Sequence, residues 1–142
     1  MVRWGQGVDN GIRAVVYLSR QETHRRVPLR EIAKELKVSP SFLAKIMQTY
    51  SRTGIVSASR GARGGYLLKK TPVQITLKDL VEELIDSAPA GACPLIGRGC
   101  PRRSECTISP VIASLEKAIY ELIAGKTVVD LCGAGNGKPL NN

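Results

Sequence analysis

The chain has 142 residues, 43% apolar and 23% charged, a composition typical of one folded domain and not of a disordered chain. No apolar run reaches the roughly 20 residues that a membrane-spanning helix needs, and the first ten residues contain no apolar signal segment, so we expect a cytoplasmic protein. The formal net charge of +9 divides into +10 for residues 1–70 and −1 for residues 71–142. This division predicts a polyanion-binding half joined to a neutral half, although a basic surface that serves solubility alone is the competing interpretation.

Three short helices are predicted in the basic half. Apolar side chains recur at helical spacing over residues 10–20 and again from Pro28 to Leu36. Ser39 and Pro40 have the order of a helix N-cap followed by proline at the first helical position, and a third helix is expected to end near Gly54. Its predicted buried face consists of Leu43, Ile46, Met47 and Tyr50.

A change to β-compatible sequence follows the third helix. Segments Ile55–Arg60 and Tyr66–Lys70 are predicted strands, and the glycine-rich residues from Gly61 to Gly65 are predicted to form the turn between them. Three helices followed by a hairpin indicate a winged helix-turn-helix. Thr76 and Asp79 have the spacing of a capping box, which predicts a fourth helix through about Ile85.

The third helix and the hairpin, or wing, supply the predicted DNA-reading groups. A recognition helix places its exposed N-terminal turns against base edges in the major groove, and arginines on a slim wing can enter or flank a minor groove. The predicted DNA-binding residues are Ser39, Ser41, Lys45, Gln48, Arg60 and Arg63. Contacts to phosphate are expected from Arg25, Arg26, Lys34 and Lys37.

A long apolar helix is predicted near the C-terminus. Ser109 and Pro110 repeat the N-cap and proline signal, a wide apolar stripe follows, and Gly125 ends the helix. Thr127 and Asp130 could cap one further turn. Because this helix follows a complete winged domain, it needs another surface to cover. Folding back within the chain is one alternative, and we favour pairing with its copy in a homodimer that reads a palindromic operator in double-stranded DNA.

Three of the four cysteines are clustered between the fourth helix and the long helix. Cys93, Cys100 and Cys106 are separated by six and then five residues, with no histidine among them. Zinc sites usually contain ligand pairs closer together, whereas iron–sulfur clusters are held mainly by cysteine thiolates. The spacing favours a cluster, and it leaves a zinc site and a thiol redox switch open. Cys132 is interpreted as a small packing residue or an incidental thiol.

These motifs together resemble a known family. The segment SPSFL from Ser39, the segment SRGARGGYLL from Ser59, the three cysteines and the long helix are similar to the winged-helix iron–sulfur transcriptional regulators that include IscR and NsrR. The similarity covers residues 8 to about 131. It implies a homodimeric transcription factor with one 2Fe–2S or 4Fe–4S cluster per subunit, cluster ligation by the three cysteines, and a minor-groove role for Arg60.

Two departures from the IscR-like pattern concern the ligand set. IscR-like members have five residues between the first two cysteines, and they have a histidine ligand where this chain has Ser109. NsrR-like members can take a fourth ligand from an acidic residue near the N-terminus of the partner subunit, a position that Asp9 matches. The alternative interpretation of Asp9 is an N-cap for the first helix.

The predicted fold is mainly α with a small β-wing: a winged helix-turn-helix plus a long C-terminal dimerisation helix. The predicted divisions are a DNA-binding region at 1–86, a cluster-binding cysteine loop at 87–106, a dimerisation helix at 107–131 and a flexible tail at 132–142. We expect a DNA-binding regulator controlled by a cluster that senses nitric oxide, redox state or iron–sulfur status. The alternatives are a metal-free thiol-switch regulator and a small electron-transfer or cluster-carrier protein. No catalytic constellation of residues indicates an enzyme.

Overall fold

The structure, a computed structural model, describes residues 5–22, 24–85, 101–102 and 105–133. This part of the chain is mainly helical with one small antiparallel sheet, as predicted. None of its helices is long and apolar enough to cross a membrane. The helices and strands are α1 (Gln6–Ser19), α2 (Leu29–Leu36), α3 (Pro40–Arg52), β1 (Val56–Ser59), β2 (Gly65–Leu68), α4 (Leu77–Glu82), α5 (Ile108–Ala124) and α6 (Val128–Gly133), with one 3-10 turn at Pro72–Gln74.

The start of α3 is capped as predicted. The Ser39 hydroxyl accepts a hydrogen bond from the Phe42 backbone N–H at 3.3 Å, and Pro40 occupies the first helical position. The preceding helix α2 ends at Lys37, which adopts a left-handed conformation with a φ of 54°. The tight turn between α2 and α3 therefore closes within three residues, as a helix-turn-helix requires.

One continuous core unites the first four helices, the wing and α6. All four positions predicted to be buried on α3 are buried, and Tyr50 is the largest fully buried side chain. The other fully buried large side chains of this core come from every part of it: Val15, Val27, Ile32, Leu43, Met47, Val56, Ile75, Leu80 and Val128. Val81 is fully buried in a second, smaller cluster with Val8 and Ile123. Burial of this apolar surface fixes α3 with its opposite face toward solvent.

The wing contains a contact that the sequence did not indicate. Strands β1 and β2 pair from Val56 opposite Leu68 to Ser59 opposite Gly65. Val27 adds a one-residue bridge to the other edge of β2, where its N–H donates to the Tyr66 carbonyl at 2.8 Å and its carbonyl accepts from the Tyr66 N–H at 2.9 Å. The prediction that Gly65 belongs to the turn was wrong, because the pairing of β1 with β2 continues to Ser59 opposite Gly65 and so extends β2 back to Gly65.

Substitution of Gly65 by alanine is expected to destabilise the protein. Gly65 has a φ of 146°, and a Cβ atom there would lie 2.5 Å from the Val27 carbonyl oxygen. We expect Gly65→Ala to lower the free energy of unfolding by about 2 kcal/mol or more, from backbone strain and displacement of the bridge. Guanidinium unfolding would measure this loss. Gly7→Ala on α1 is the control, since its Cβ would meet nothing within 4 Å, and that variant is expected to be slightly more stable. Equal stability of the two variants would contradict the prediction.

The two predicted acidic caps both form. Asp79 accepts from the Thr76 N–H at 2.9 Å while the Thr76 hydroxyl accepts from the Asp79 N–H at 3.1 Å, which confirms the capping box. Asp130 accepts from the Thr127 N–H at 2.7 Å and from its hydroxyl at 3.0 Å, and these bonds lower the pKa of the Asp130 carboxyl. Regular helix α4 ends at Glu82, three residues earlier than predicted.

Helix α5 begins one residue before the predicted N-cap. Its first residue is Ile108, so the prediction that Ser109 caps the helix was wrong. The Ser109 N–H instead donates to the Cys106 sulfur at 3.3 Å, so that a side chain preceding the helix satisfies this donor. Gly125 follows the last residue of α5, as predicted, and α6 is separate from it.

Candidate functional site

The exposed face of α3 carries the predicted base-reading side chains. Ser41, Lys45 and Gln48 are exposed on the face opposite the buried stripe. The Ser39 hydroxyl lies 3.4 Å from the Ser41 hydroxyl, and its cap to Phe42 holds it at the N-terminal end of this face. These four residues therefore lie along one surface of a helix whose other surface is fixed in the core, which suits insertion into a major groove.

The wing presents one arginine before its turn and one within it. Arg60 and Arg63 are both exposed, and the turn that contains Arg63 is closed by a 2.9 Å bond from the Gly64 N–H to the Gly61 carbonyl. Gly61 has a φ of 100°, which favours glycine at this position. Neither arginine forms a salt bridge with another described residue, so both guanidinium groups are free to contact nucleic acid.

The predicted phosphate contacts divide into two kinds. Lys34 and Lys37 are exposed beside α3. Arg25 is paired: its guanidinium donates to both oxygens of Glu31 at 2.9 Å, and Glu31 raises the pKa of that guanidinium. The Arg26 Nη1 atom is buried without a hydrogen-bond partner among the described residues. The structure thus leaves the two lysines available to phosphate, whereas Arg25 is engaged in holding the start of α2.

Of the three predicted cysteine ligands, Cys106 lies in the described part of the chain, and Cys93 and Cys100 lie outside it. Cys106 is half-buried immediately before α5, where its sulfur accepts the Ser109 N–H. Hydrogen bonds from backbone N–H groups to cysteine sulfurs are one of the ways in which proteins tune iron–sulfur clusters. Within residues 5–22, 24–85, 101–102 and 105–133, no group of three histidine, cysteine or acidic side chains is arranged to hold a metal ion.

Asp9 lies in the first turn of α1 and is exposed. Its alternative interpretation as an N-cap was wrong, because the helix begins at Gln6 and Gly5 occupies the cap position. Both carboxylate oxygens accept from the Arg13 Nε atom, at 2.9 and 3.0 Å. Exposed ion pairs one helical turn apart contribute only about 0.5 kcal/mol, so this pair does not preclude another cation at the carboxylate.

Cys132 is separate from this set. It is half-buried in α6 and packs against the main core, and its sulfur lies 3.2 Å from the Ser19 hydroxyl on α1. These contacts agree with the prediction of a small packing residue. Sequence reasoning missed Val27 as the residue that supports the wing, because a bridge of a single residue leaves no periodic signal.

Comparison with known proteins gives consistent results. Residues 5–134 match the model of the Rrf2 family, described as an iron-dependent transcriptional regulator. Protein aau3 of Rhizobium meliloti is 34% identical over 135 residues, which cover 94% of this chain and 86% of that protein.

Two solved structures share the fold. The structure of T. potens IscR matches with a TM-score of 0.75 at 22% identity, and the match covers 99% of this chain and 94% of that chain. The structure of CymR, the global cysteine regulator of B. subtilis, matches with a TM-score of 0.74 at 22% identity, and the match covers 96% of this chain and 100% of that chain. The chain is a winged-helix, DNA-binding transcriptional regulator that belongs to the Rrf2 family.

Proposed function

We propose that this regulator binds an iron–sulfur cluster, 2Fe–2S or 4Fe–4S, whose state controls its affinity for DNA. The proposed ligands are Cys93, Cys100 and Cys106, with Asp9 of the partner subunit as the fourth. The observation that carries the proposal is the backbone hydrogen bond to the Cys106 sulfur directly before α5, which provides a sulfur ligand with a fixed neighbour. The description of the Rrf2 family as an iron-dependent transcriptional regulator supports the same proposal.

The donor set fits such a group. Three thiols and one exposed carboxylate provide the soft and hard donors that iron accepts, and Asp9 is held near the start of α1 by Arg13. A bound cluster would supply redox chemistry and reactivity toward nitric oxide. The chain itself positions Cys106 at one end of α5, and it places the recognition helix and the wing on a common core.

We further propose that the active species is a homodimer that reads a palindromic operator. Helix α5 exposes a stripe of apolar side chains that are each more than half accessible: Ile108, Val111, Leu115 and Leu122. Their spacing places them on one side of the helix, adjacent to the side that packs on α4. An apolar stripe of this kind favours burial against a second copy, and two copies would present two recognition helices to two half-sites.

Anaerobic purification with iron and sulfide tests the cluster. We expect a coloured protein with visible absorption bands and about one cluster per chain, and we expect Cys106→Ser to abolish the colour because one thiolate ligand is lost. Cys132→Ser is the matched control and is expected to keep the wild-type spectrum, since its sulfur contacts Ser19 and the core. A colourless wild-type protein that binds one zinc ion would overturn the cluster proposal.

A second candidate function is a metal-free thiol switch. The half-buried Cys106 sulfur, which accepts the Ser109 N–H, is also a candidate for reaction with peroxide, and the fold is shared with a regulator named for cysteine control. In this candidate two cysteine thiols form a disulfide, and their two electrons and two protons reduce one peroxide to water. It predicts that metal-free protein changes its DNA affinity after peroxide treatment and recovers it with dithiothreitol; an unchanged affinity would exclude it.

A further inference from the structure

Tyr50 connects the recognition helix to the element that precedes the cysteine segment. Its side chain is fully buried on the core face of α3, and its hydroxyl donates a 2.9 Å hydrogen bond to the Leu80 carbonyl of α4. Burial raises the pKa of this hydroxyl, and the nearby Glu83 raises it further, so the group remains a protonated donor. Among the described side chains, this is the one fully buried hydroxyl that joins α3 to α4.

The first helix closes over the same hydroxyl. A Cβ atom on Gly11 of α1 would lie 2.5 Å from the Tyr50 hydroxyl oxygen and 2.5 Å from the Leu84 Cδ1 atom of the last turn after α4. The absence of a side chain at Gly11 therefore allows α1, α3 and α4 to meet at one point. Close packing of this kind transmits a displacement of one element to the others, since there is no free volume to absorb it.

The two helices that meet at the Tyr50 hydroxyl, α1 and α4, are also the ones connected to the proposed cluster ligands. Helix α4 immediately precedes the segment that contains this chain's cysteines, and α1 carries Asp9, the proposed ligand of the cluster in the other subunit, two residues before Gly11. On the other side, the Tyr50 carbonyl accepts from the Ile55 N–H at 2.9 Å, which ties the same residue to the start of the wing. One residue thus touches α1 and α4 through its side chain, and the wing through its backbone.

We infer that Tyr50 is a positioning residue that couples the state of the cysteine segment to DNA affinity through its bond to the Leu80 carbonyl. This inference rests on the proposed control of DNA affinity by that segment. A shift of α4 changes the Tyr50–Leu80 bond, and α3 and the wing follow because both are anchored at Tyr50. Coupling between two binding sites is reciprocal, so DNA binding must also change the stability of α4.

The test compares Tyr50→Phe with wild type in the full-length chain. Dissociation constants for a promoter fragment are measured with the cluster-loaded and the metal-free, reduced protein, and the ratio of the two constants is the coupling. Typical coupling corresponds to a 5- to 150-fold ratio. We expect Tyr50→Phe to reduce the wild-type ratio at least fivefold toward one, because the variant loses the hydroxyl that bonds to the Leu80 carbonyl. The aromatic ring is kept, so the packing of the core is preserved. An unchanged ratio in this variant would overturn the inference and leave the proposed function intact.

Tyr17→Phe is the matched control. It also loses one tyrosine hydroxyl, whose 3.0 Å bond goes to Glu31 and joins α1 to α2 without involving α4. This control is expected to keep the wild-type ratio. An equal loss of coupling in Tyr17→Phe would assign the effect to general loosening and would overturn the role of Tyr50.

Amide hydrogen exchange of metal-free protein provides a readout that needs no cluster. In wild type we expect DNA binding to slow exchange of the α4 amides, and in Tyr50→Phe we expect this DNA-dependent protection to be lost while DNA is still bound. Absence of the protection in wild type would overturn the inference even if the variant fails to fold. A different result would overturn the proposed function and keep the Tyr50 connection: DNA binding protects the α4 amides in wild type, but the cluster-loaded and metal-free proteins bind DNA with equal dissociation constants.

Discussion

Simultaneous replacement of Lys45 and Arg60 by alanine is expected to weaken binding to a specific operator by about 100-fold or more. Lys45 is exposed on α3 and Arg60 is exposed on the wing, so we expect Lys45 to contact the major groove and Arg60 the minor groove. Each direct base contact contributes about 1–3 kcal/mol of discrimination, and a factor of 10 in affinity corresponds to about 1.4 kcal/mol. Fluorescence anisotropy with operator and scrambled duplexes, at several salt concentrations, would measure the loss.

The control must remove the same charge elsewhere. Lys117 is exposed on α5 and Lys126 is exposed shortly after it, and both are distant from α3 and the wing in sequence. We expect Lys117→Ala with Lys126→Ala to bind the operator nearly as well as wild type, with a slight effect at low salt. If both double variants lost affinity equally, non-specific attraction would explain the binding, and neither α3 nor the wing would be a reading element.

Two glutamates on the apolar stripe of α5 are expected to convert the proposed dimer into a monomer. Leu115 and Leu122 are 54% and 68% exposed, so Leu115→Glu with Leu122→Glu should leave the fold of the single chain unchanged. In a dimer the same changes would bury unpaired carboxylates, which costs about 3–5 kcal/mol per uncompensated charge. Sedimentation equilibrium should show monomers at micromolar concentration, and operator affinity should fall because the two half-sites are no longer read together.

Ala113→Glu with Lys117→Glu is the corresponding control. Both positions are exposed on α5 but lie off the apolar stripe, so this variant is expected to remain a dimer. A Leu115 and Leu122 double variant that still sediments as a dimer would place the subunit interface on another surface. Circular dichroism of both variants would verify that α5 itself is retained.

The helix-turn-helix was predictable because its signals are local. Ser39 and Pro40 specify the start of α3, the apolar spacing specifies its buried face, and the Thr76–Asp79 pair specifies the start of α4. Each of these features depends on side chains that follow one another at intervals of four residues or fewer. The same locality explains why the exposed residues Ser41, Lys45 and Gln48 could be predicted as a complement of the buried set.

Contacts between distant segments were not predictable. The Val27–Tyr66 bridge joins residues that periodicity does not relate. The pairing of Ser59 with Gly65 places Gly65 in β2 and not in the turn. The hydrogen bond from Tyr50 to Leu80 spans 30 residues, and the sequence indicated only that Tyr50 is buried. At Ser109 the capping rule failed because α5 already begins at Ile108, so that Ser109 lies inside the first turn and its own N–H donates to the Cys106 sulfur.

The pairing of Thr76 with Thr127 bears on how the regulators of this family can diverge. The Leu77 N–H donates to the Lys126 carbonyl at 2.7 Å, and the Val128 N–H donates to the Ile75 carbonyl at 2.9 Å. The stretch from Leu77 to Lys126 therefore begins and ends at the same place, although α4 within it packs into the core. Changing the length of such a segment costs little loop-closure free energy, about 0.6 kcal/mol for a doubling. The additional residue between Cys93 and Cys100, relative to the IscR-like spacing, can thus be accommodated without moving the core residues at the base.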